Sequence, residues 1–439
     1  MKKNDELEVL IEGYSADGAG VAKPDGFVLF IPGTIVGERV LAHVTKLTKN
    51  YGYAKAMKII APSEHRVCPD CEKAAACGGC QLRHMSYAEQ LSFKKQKVEA
   101  NMRKAGITCP VSDTLPSPAL LEYRNKAQYP IRMQGGKITG GFYRQNSHTV
   151  IECECVIQPR IFNDILRATL DFMTEHKISA YDEQTLRGTV RHLYLRRGKT
   201  IMVCLVVKGD FPLKKQFSDK LRVQFPEIST VCINYNDKNT NVVLGDRYET
   251  VYGEGYITDT LMGYEFDISP ESFYQVNRDG CEVLYGEVKR HAAGARSLLD
   301  LYCGIGTIGI CVSDKVESLT GIEIVEKAIE NARANALKNN ITSARFAAMD
   351  AKSAGEFADG QYDTIIVDPP RKGCDIGTLE YLESKAPERL IYVSCDSATL
   401  ARDLKILTEK GFEVKEITPV DMFPSTYHVE TVVLLVRQL

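Results

Sequence analysis

The chain has 439 residues, 44% of them hydrophobic and 26% charged, and carries a formal net charge of −2. That length is too great for one ordinary hydrophobic core and predicts about three domains. The near-neutral charge excludes a protein that coats nucleic acid by bulk electrostatics, and no apolar run approaches the ~20 residues of a membrane span. The start, MKKNDELEVLIEGY, runs from charged residues straight into strand-like alternation without the apolar stretch of a signal peptide. The expectation is a cytoplasmic protein with no membrane partner. The charge is uneven: residues 121–208 hold 14 Lys and Arg against 8 Asp and Glu, whereas residues 291–439 hold 16 against 22.

Residues 1–60 read as short strands punctuated by Gly and Pro, which predicts a small barrel of the oligonucleotide-binding type. Within it Lys46, Lys49, Tyr51, Tyr53 and Lys55 interleave cations and aromatics, a pattern suited to stacking on bases and contacting phosphates. Residues 61–268 form the second predicted unit, a central α+β domain. It opens with cysteines between Cys68 and Cys80, then a helix-like stretch ending at Gly106 whose Lys94, Lys95 and Lys97 are candidate phosphate contacts. Strand-like segments follow, with one helix-like piece near IFNDILRATLDFM.

From residue 269 to 439 helices alternate with short apolar strands, the signature of an α/β doubly wound, Rossmann-like sheet. The strands are RSLLDLYC, ESLTGIEI, SARFAAMD, YDTIIVDPP and RLIYVSCD, closed by a pair of antiparallel character, GFEVKEITPVDMF and TVVLLVRQL.

Fourteen cysteines without a secretion signal point to metal ligation or nucleophilic chemistry rather than disulfides. Cys204, Cys232, Cys281 and Cys311 lie among apolar residues and read as small buried hydrophobes. Cys71, Cys77 and Cys80 in a tight loop, with the distant Cys155, suit a 4Fe-4S cluster. Cys68-Pro-Asp-Cys71 with Cys77-Gly-Gly-Cys80 would suit zinc equally well.

The glycine-rich DLYCGIGTIG after the first strand, with Glu323 ending the second, reads as a nucleotide site in which the carboxylate meets ribose hydroxyls. A nicotinamide dehydrogenase would share those two features. Asp368-Pro369-Pro370-Arg371 fixes an open turn that can hold a planar base against a methyl donor, and Ser394-Cys395-Asp396 sets a thiol at the next strand end. Asp300, Glu323, Asp350, Asp368 and Cys395 each end a predicted strand and are expected on one rim. Glu430 joins them if the last strand runs antiparallel. A thiol and a carboxylate there match the needs of uracil methylation: addition to carbon 6 activates carbon 5, and a base then removes the carbon 5 proton. Asp396 adds a negative charge opposing the thiolate unless it is turned away. An amino-group methyltransferase would need no Cys395, and a catalytically dead RNA-binding factor would need neither Cys395 nor Glu430.

These residues closely resemble the RNA (uracil-5-)-methyltransferase family, in particular the branch acting on 23S ribosomal RNA. The likeness runs over nearly the whole chain: a TRAM barrel in EGYSADGAGVAKPDGFVLFIPG, then CEKAAACGGCQLRH, YRNK, SPESFYQVN, DLYCGIGTIG, DPPRKG, SCDSATLARDL and HVETVVLL. It implies Cys395 as nucleophile, Glu430 as proton acceptor, and Gln275, Tyr302, Glu323 and Asp368 as contacts to S-adenosylmethionine, with Asp350 on the same rim. It also implies Cys71, Cys77, Cys80 and Cys155 as 4Fe-4S ligands in preference to zinc. The implied partner is 23S ribosomal RNA, with transfer RNA as the alternative and no protein partner evident.

Overall fold

The computed structural model describes residues 1–438. At the N-terminus six strands between Glu6 and Ala61 build one sheet, curled around Val9, Leu29, Ile31, Val40 and Ala54. Its chain order is first, fifth, sixth, fourth, third, second. The curl is tight enough that a Cβ on Gly20 would lie 2.0 Å from the Thr34 hydroxyl, so only glycine fits there.

A second six-stranded sheet lies between Lys126 and Tyr252. Its Ile201–Val207 strand is apolar and wholly buried, and the neighbouring Val190–Arg197 is buried except at Arg197 although it carries Arg191, His192 and Arg196, as expected of central strands covered on both faces. The helices Arg160–Glu175 and Lys214–Gln224 pack on it through Phe162, Phe172, Phe217 and Leu221, giving the expected α+β arrangement.

The C-terminal sheet has seven strands. Ala344–Ala348, Val316–Glu323, Ala295–Leu301, Thr364–Val367 and Arg389–Ser394 run parallel in that spatial order. Glu430–Arg437 and then Phe412–Val420 complete the edge antiparallel. Successive residues point to opposite faces: Leu298, Leu319 and Ile391 pack under the Arg278–Ala292 and Glu326–Lys338 helices, while Leu299, Ile322 and Leu390 face Ile376–Lys385 and Ser397–Glu409. The strand order reverses between Ala295–Leu301 and Thr364–Val367, which opens a crevice at their carboxyl ends.

The Tyr87–Ala105 helix precedes the central sheet in the chain but packs on the C-terminal one through Val98 and Met102. Ser86 caps it, and Gly106 ends it at a φ of 80°. The structure corrects the expectation for its lysines. Lys94 is fully buried in an ion pair with Asp421, and Lys97 donates to the Tyr427 carbonyl at 2.9 Å, so neither is a free phosphate contact. Lys95 pairs with Asp113 at 2.8 Å. Among the described residues no helix is long and apolar enough to cross a membrane.

Candidate active site

The crevice holds a cavity of about 940 Å³ whose lining includes Gln275, Tyr302, Glu323, Asp350, Asp368, Cys395 and Glu430. All seven residues singled out around the nucleotide motif and the thiol therefore meet in one space. Each parallel strand delivers a side chain as it ends, and the antiparallel strand delivers one as it starts. Asp300 departs from the expectation. It lies beneath the rim, fully buried, and accepts the Gly309 N–H at 3.0 Å, bracing the glycine loop rather than lining the cavity.

The glycine loop is shaped for close approach. Tyr302 has a φ of 65°, a strained value for a bulky residue, and its hydroxyl lies 3.1 Å from that of Thr378. Gly304 has nothing within 4 Å of where a Cβ would sit, so its backbone opens directly on the cavity. Glu323 accepts the Gly304 N–H at 3.3 Å and the Val325 N–H at 3.0 Å. Gln275 is held through its carbonyl, which accepts from Asn125 at 2.9 Å, while its side-chain amide has no partner among the described residues. These groups fit a nucleoside-bearing methyl donor: an open backbone cradle, a fixed carboxylate and an unpaired amide.

On the other side of the crevice, Ser394 is in register with Thr431 across an antiparallel ladder. Cys395 follows Ser394 and Glu430 precedes Thr431, so both stand at the end of that ladder, and both line the cavity. Burial, then the carboxyls of Glu430 and Asp368, push the Cys395 thiol up to about 11, while the guanidinium of Arg371 pulls it down. Glu430 is pushed up to about 8 by burial and then by Asp368, again opposed by Arg371. Burial alone lifts Asp368 to about 7. Asp396 is not the opposing charge: it is turned away, capping the Ser397–Glu409 helix by accepting the N–H groups of Ala398 at 2.9 Å and Thr399 at 3.1 Å. A thiol beside a carboxyl, both sensitive to one guanidinium, can carry out nucleophilic addition and proton removal at a shared substrate atom pair.

Several lining residues had no role in the sequence reading although their motifs were visible. Arg371 lies in DPPRKG, and His428 in HVETVVLL. Phe273 in SPESFYQVN is 67% exposed at the mouth, and Phe423, Thr426 and Tyr427 come from the loop before the last strand. Burial pushes the His428 imidazole down to about 4, so it is neutral near pH 7. Arg402 and Asp403 brace the turn after Arg371: Arg402 donates to the Lys372 carbonyl at 2.9 Å, and Asp403 accepts the Cys374 N–H at 2.9 Å. A Cβ on Gly373 would lie 2.5 Å from the Asp403 carboxylate.

A second cavity, of about 270 Å³, is lined by Cys71, Cys77, Cys80, Cys153 and Cys155. Cys68 is exposed and does not line it, so the paired set expected for zinc is not assembled. A hydrogen bond with Cys153 pulls the Cys77 thiol down, whereas burial raises Cys80. Arg83, which also lines the cavity, has buried Nε and Nη2 atoms without a partner, and so does the buried Tyr129 hydroxyl nearby. Cys204, Cys232, Cys281 and Cys311 are buried, as expected.

Residues 86–438 match the family model for tRNA (uracil-5-)-methyltransferase, and residues 2–57 match the TRAM domain. An uncharacterised RNA methyltransferase of Listeria innocua is 41% identical, over 99% of this chain and 98% of its own length. One from Halalkalibacterium halodurans is 42% identical, over 99% and 98%. The crystal structure of the Pyrococcus abyssi tRNA (uracil-54, C5)-methyltransferase in complex with S-adenosyl-L-homocysteine superposes with a TM-score of 0.81. It is 28% identical, and the match covers 98% of this chain and 99% of that one. With the crevice, the glycine loop and the paired thiol and carboxyl, these matches establish that the chain belongs to the tRNA (uracil-5-)-methyltransferase family, as an S-adenosylmethionine-dependent RNA methyltransferase with an N-terminal TRAM domain.

Proposed function

We propose that the enzyme methylates carbon 5 of a specific uridine in 23S ribosomal RNA through a covalent adduct with Cys395, using Glu430 as the proton acceptor. The observation that carries this reading is the meeting of Cys395 and Glu430 in one cavity at the end of the ladder, where the Glu430 carboxyl acts on the Cys395 thiol. The Cys395 thiolate adds to carbon 6 of uracil, and the displaced electron pair becomes an enolate with density at carbon 5. S-adenosylmethionine supplies the electrophilic methyl group when bound. Glu430 then takes the carbon 5 proton, and the electrons of that C–H bond restore the ring double bond and expel the Cys395 thiolate. A carboxyl pushed up to about 8 is matched to proton removal near neutral pH. Gln275, Tyr302, Glu323, Asp350 and Asp368 are assigned to the methyl donor, because they line the same cavity as the glycine-loop residues Cys303, Gly304 and Ile305.

Cys71, Cys77, Cys80 and Cys155 are proposed to hold a 4Fe-4S cluster. The thiols from two distant segments face one cavity, and the unpartnered donors of Arg83 and Tyr129 are groups that anionic sulfur would satisfy. Such a cluster would supply a tie between the segments that carry its ligands.

The ribosomal target is favoured by the cysteine motif CEKAAACGGCQLRH, on which the resemblance to that branch rests. Transfer RNA is the second reading, favoured by the Pyrococcus abyssi neighbour. The test is methylation of transcribed 23S ribosomal RNA and transfer RNA with a labelled donor, followed by mapping of 5-methyluridine. Label at one 23S uridine is expected. Label in transfer RNA alone would overturn the target, and label at any position other than carbon 5 would overturn the chemistry.

A further inference from the structure

The cysteine cavity and the catalytic cavity share a wall: Gly79, Arg124, Lys126 and Gln128 line both. Three of these residues alternate along the chain entering the Lys126–Gln134 strand. Their odd-numbered neighbours face inward and are committed. The Tyr123 hydroxyl donates to the Pro424 carbonyl at 3.0 Å, Asn125 donates to the Gln275 carbonyl, and Ala127 is core. The even-numbered face points into the seam between the cavities. Among the described residues, the Arg124 guanidinium, the Lys126 ammonium and the Gln128 amide make no hydrogen bond and no ion pair with any side chain or backbone group.

That is unusual in this chain, where buried cations find partners. Across the ladder from Lys126, Arg196 donates to the carbonyls of Ser272 at 2.8 Å and Tyr274 at 3.1 Å, and Arg132 pairs with Glu183. Two neighbouring half-buried cations without an acceptor repel each other and lose hydration, a cost that an anion seated between them would remove. Burial, then Arg196 and Arg124, push the Lys126 ammonium down to about 8. The carboxyls that line this pocket, Glu430 and Asp368 at the strand ends among them, form no ion pair with Arg124 or Lys126. A uridine extruded from its stack to reach Cys395 brings its flanking phosphates to the mouth of the same pocket.

We propose that Arg124 and Lys126, with Gln128 as a neutral donor, form a seat for an RNA backbone phosphate flanking the uridine that enters the catalytic pocket. The inference rests on the uridine reading above, and it makes the seam between the two cavities an RNA-reading surface. A different anion could claim the same cations, namely a tetrathiolate iron-sulfur cluster behind the wall, and the experiment separates the two.

The test uses full-length, anaerobically purified protein carrying Cys395→Ala to prevent turnover, with Arg124→Gln, Lys126→Gln or Lys126→Arg added. Binding of transcribed 23S ribosomal RNA is titrated across a range of salt, alongside S-adenosylmethionine affinity, iron content and visible absorbance. Each Gln variant is expected to weaken RNA binding about tenfold and to flatten the plot of log affinity against log salt by about 0.7, the release from one single-strand phosphate. Iron and donor affinity should be unchanged, and Lys126→Arg should restore binding. An unchanged salt slope with intact iron overturns the seat. Loss of iron and colour in the Gln variants also overturns it, because the cations would then answer the cluster. The parent titration reports separately on RNA recognition, and methylation by Cys395→Ala reports on the uridine mechanism, so a failure of either is not mistaken for failure of the seat.

Discussion

The two cavities are built on different principles although they share a wall. The catalytic one collects a single side chain from each of several strand ends of one sheet, so its geometry follows from topology. The cysteine one draws its thiols from a loop and from a segment more than seventy residues later, with no regular element to hold either. The first should therefore tolerate loss of any one lining side chain without unfolding. The second should depend on what its thiols bind.

The largest expected effect exposes that contrast. Cys80→Ser should strip iron from the protein and lower its melting temperature, whereas Cys395→Ala should abolish methylation and leave melting unchanged. Thermal melts, iron assay and product mapping check the pair. Both variants behaving alike would mean that the cavities are not independent in the way described.

A smaller effect concerns the ties between the regions. The buried Lys94–Asp421 pair joins the Tyr87–Ala105 helix to the loop that leads to Glu430. Lys94→Met leaves Asp421 buried and uncompensated, which should cost about 3–5 kcal/mol, read from denaturant midpoints. The double change Lys94→Met with Asp421→Leu should recover most of it.

Those ties mark where sequence legibility ended. Strand ends, glycine loop and nucleophile were readable because hydrophobic periodicity fixes which residues leave the sheet together. Glu430 depended only on the last strand being antiparallel, which its place after Phe412–Val420 supports. For Lys94 and Lys97 of the Tyr87–Ala105 helix the expectation fails because spacing shows which face is charged but not what covers it, and here Asp421 and Tyr427 do, more than three hundred residues away. Arg371 carried no assignment because its effect on Cys395 and Glu430 arises only once two strand-end loops meet. Cys68 could not be set apart from Cys71 by spacing, since a Cys-x-x-Cys pair requires the backbone to turn toward a common point.

Arg371 sharpens the electrostatic side of the comparison. It favours the charged forms of both Cys395 and Glu430, so removing it raises both groups further. Arg371→Ala should move the rising limb of the pH–rate profile upward by about one unit, with less activity at pH 7 than at pH 9. Single-turnover rates across that range provide the check, and an unmoved limb would mean that neither group governs it.

On the barrel, Phe30, Tyr51 and Tyr53 form an aromatic cluster with ring centroids 5.7 Å apart, and Tyr51 and Tyr53 are 39% and 40% exposed. Tyr53→Ala should weaken RNA binding by about 1 kcal/mol, the low end for one lost base stack, and leave S-adenosylmethionine binding intact. Cys68→Ser should be the smallest perturbation of all, changing neither iron content nor melting, because its thiol stands outside the cavity.

The central claim, that Cys395 attacks and Glu430 releases, is tested most directly by trapping the intermediate. Glu430→Gln should add to uracil and accept the methyl group but stall at proton removal, accumulating a covalent protein–RNA complex that carries label from the methyl donor. On a denaturing gel this runs as a slow labelled band, and adding Cys395→Ala should erase it. A Glu430→Gln enzyme that turns over normally, or a labelled band that survives Cys395→Ala, would contradict the account.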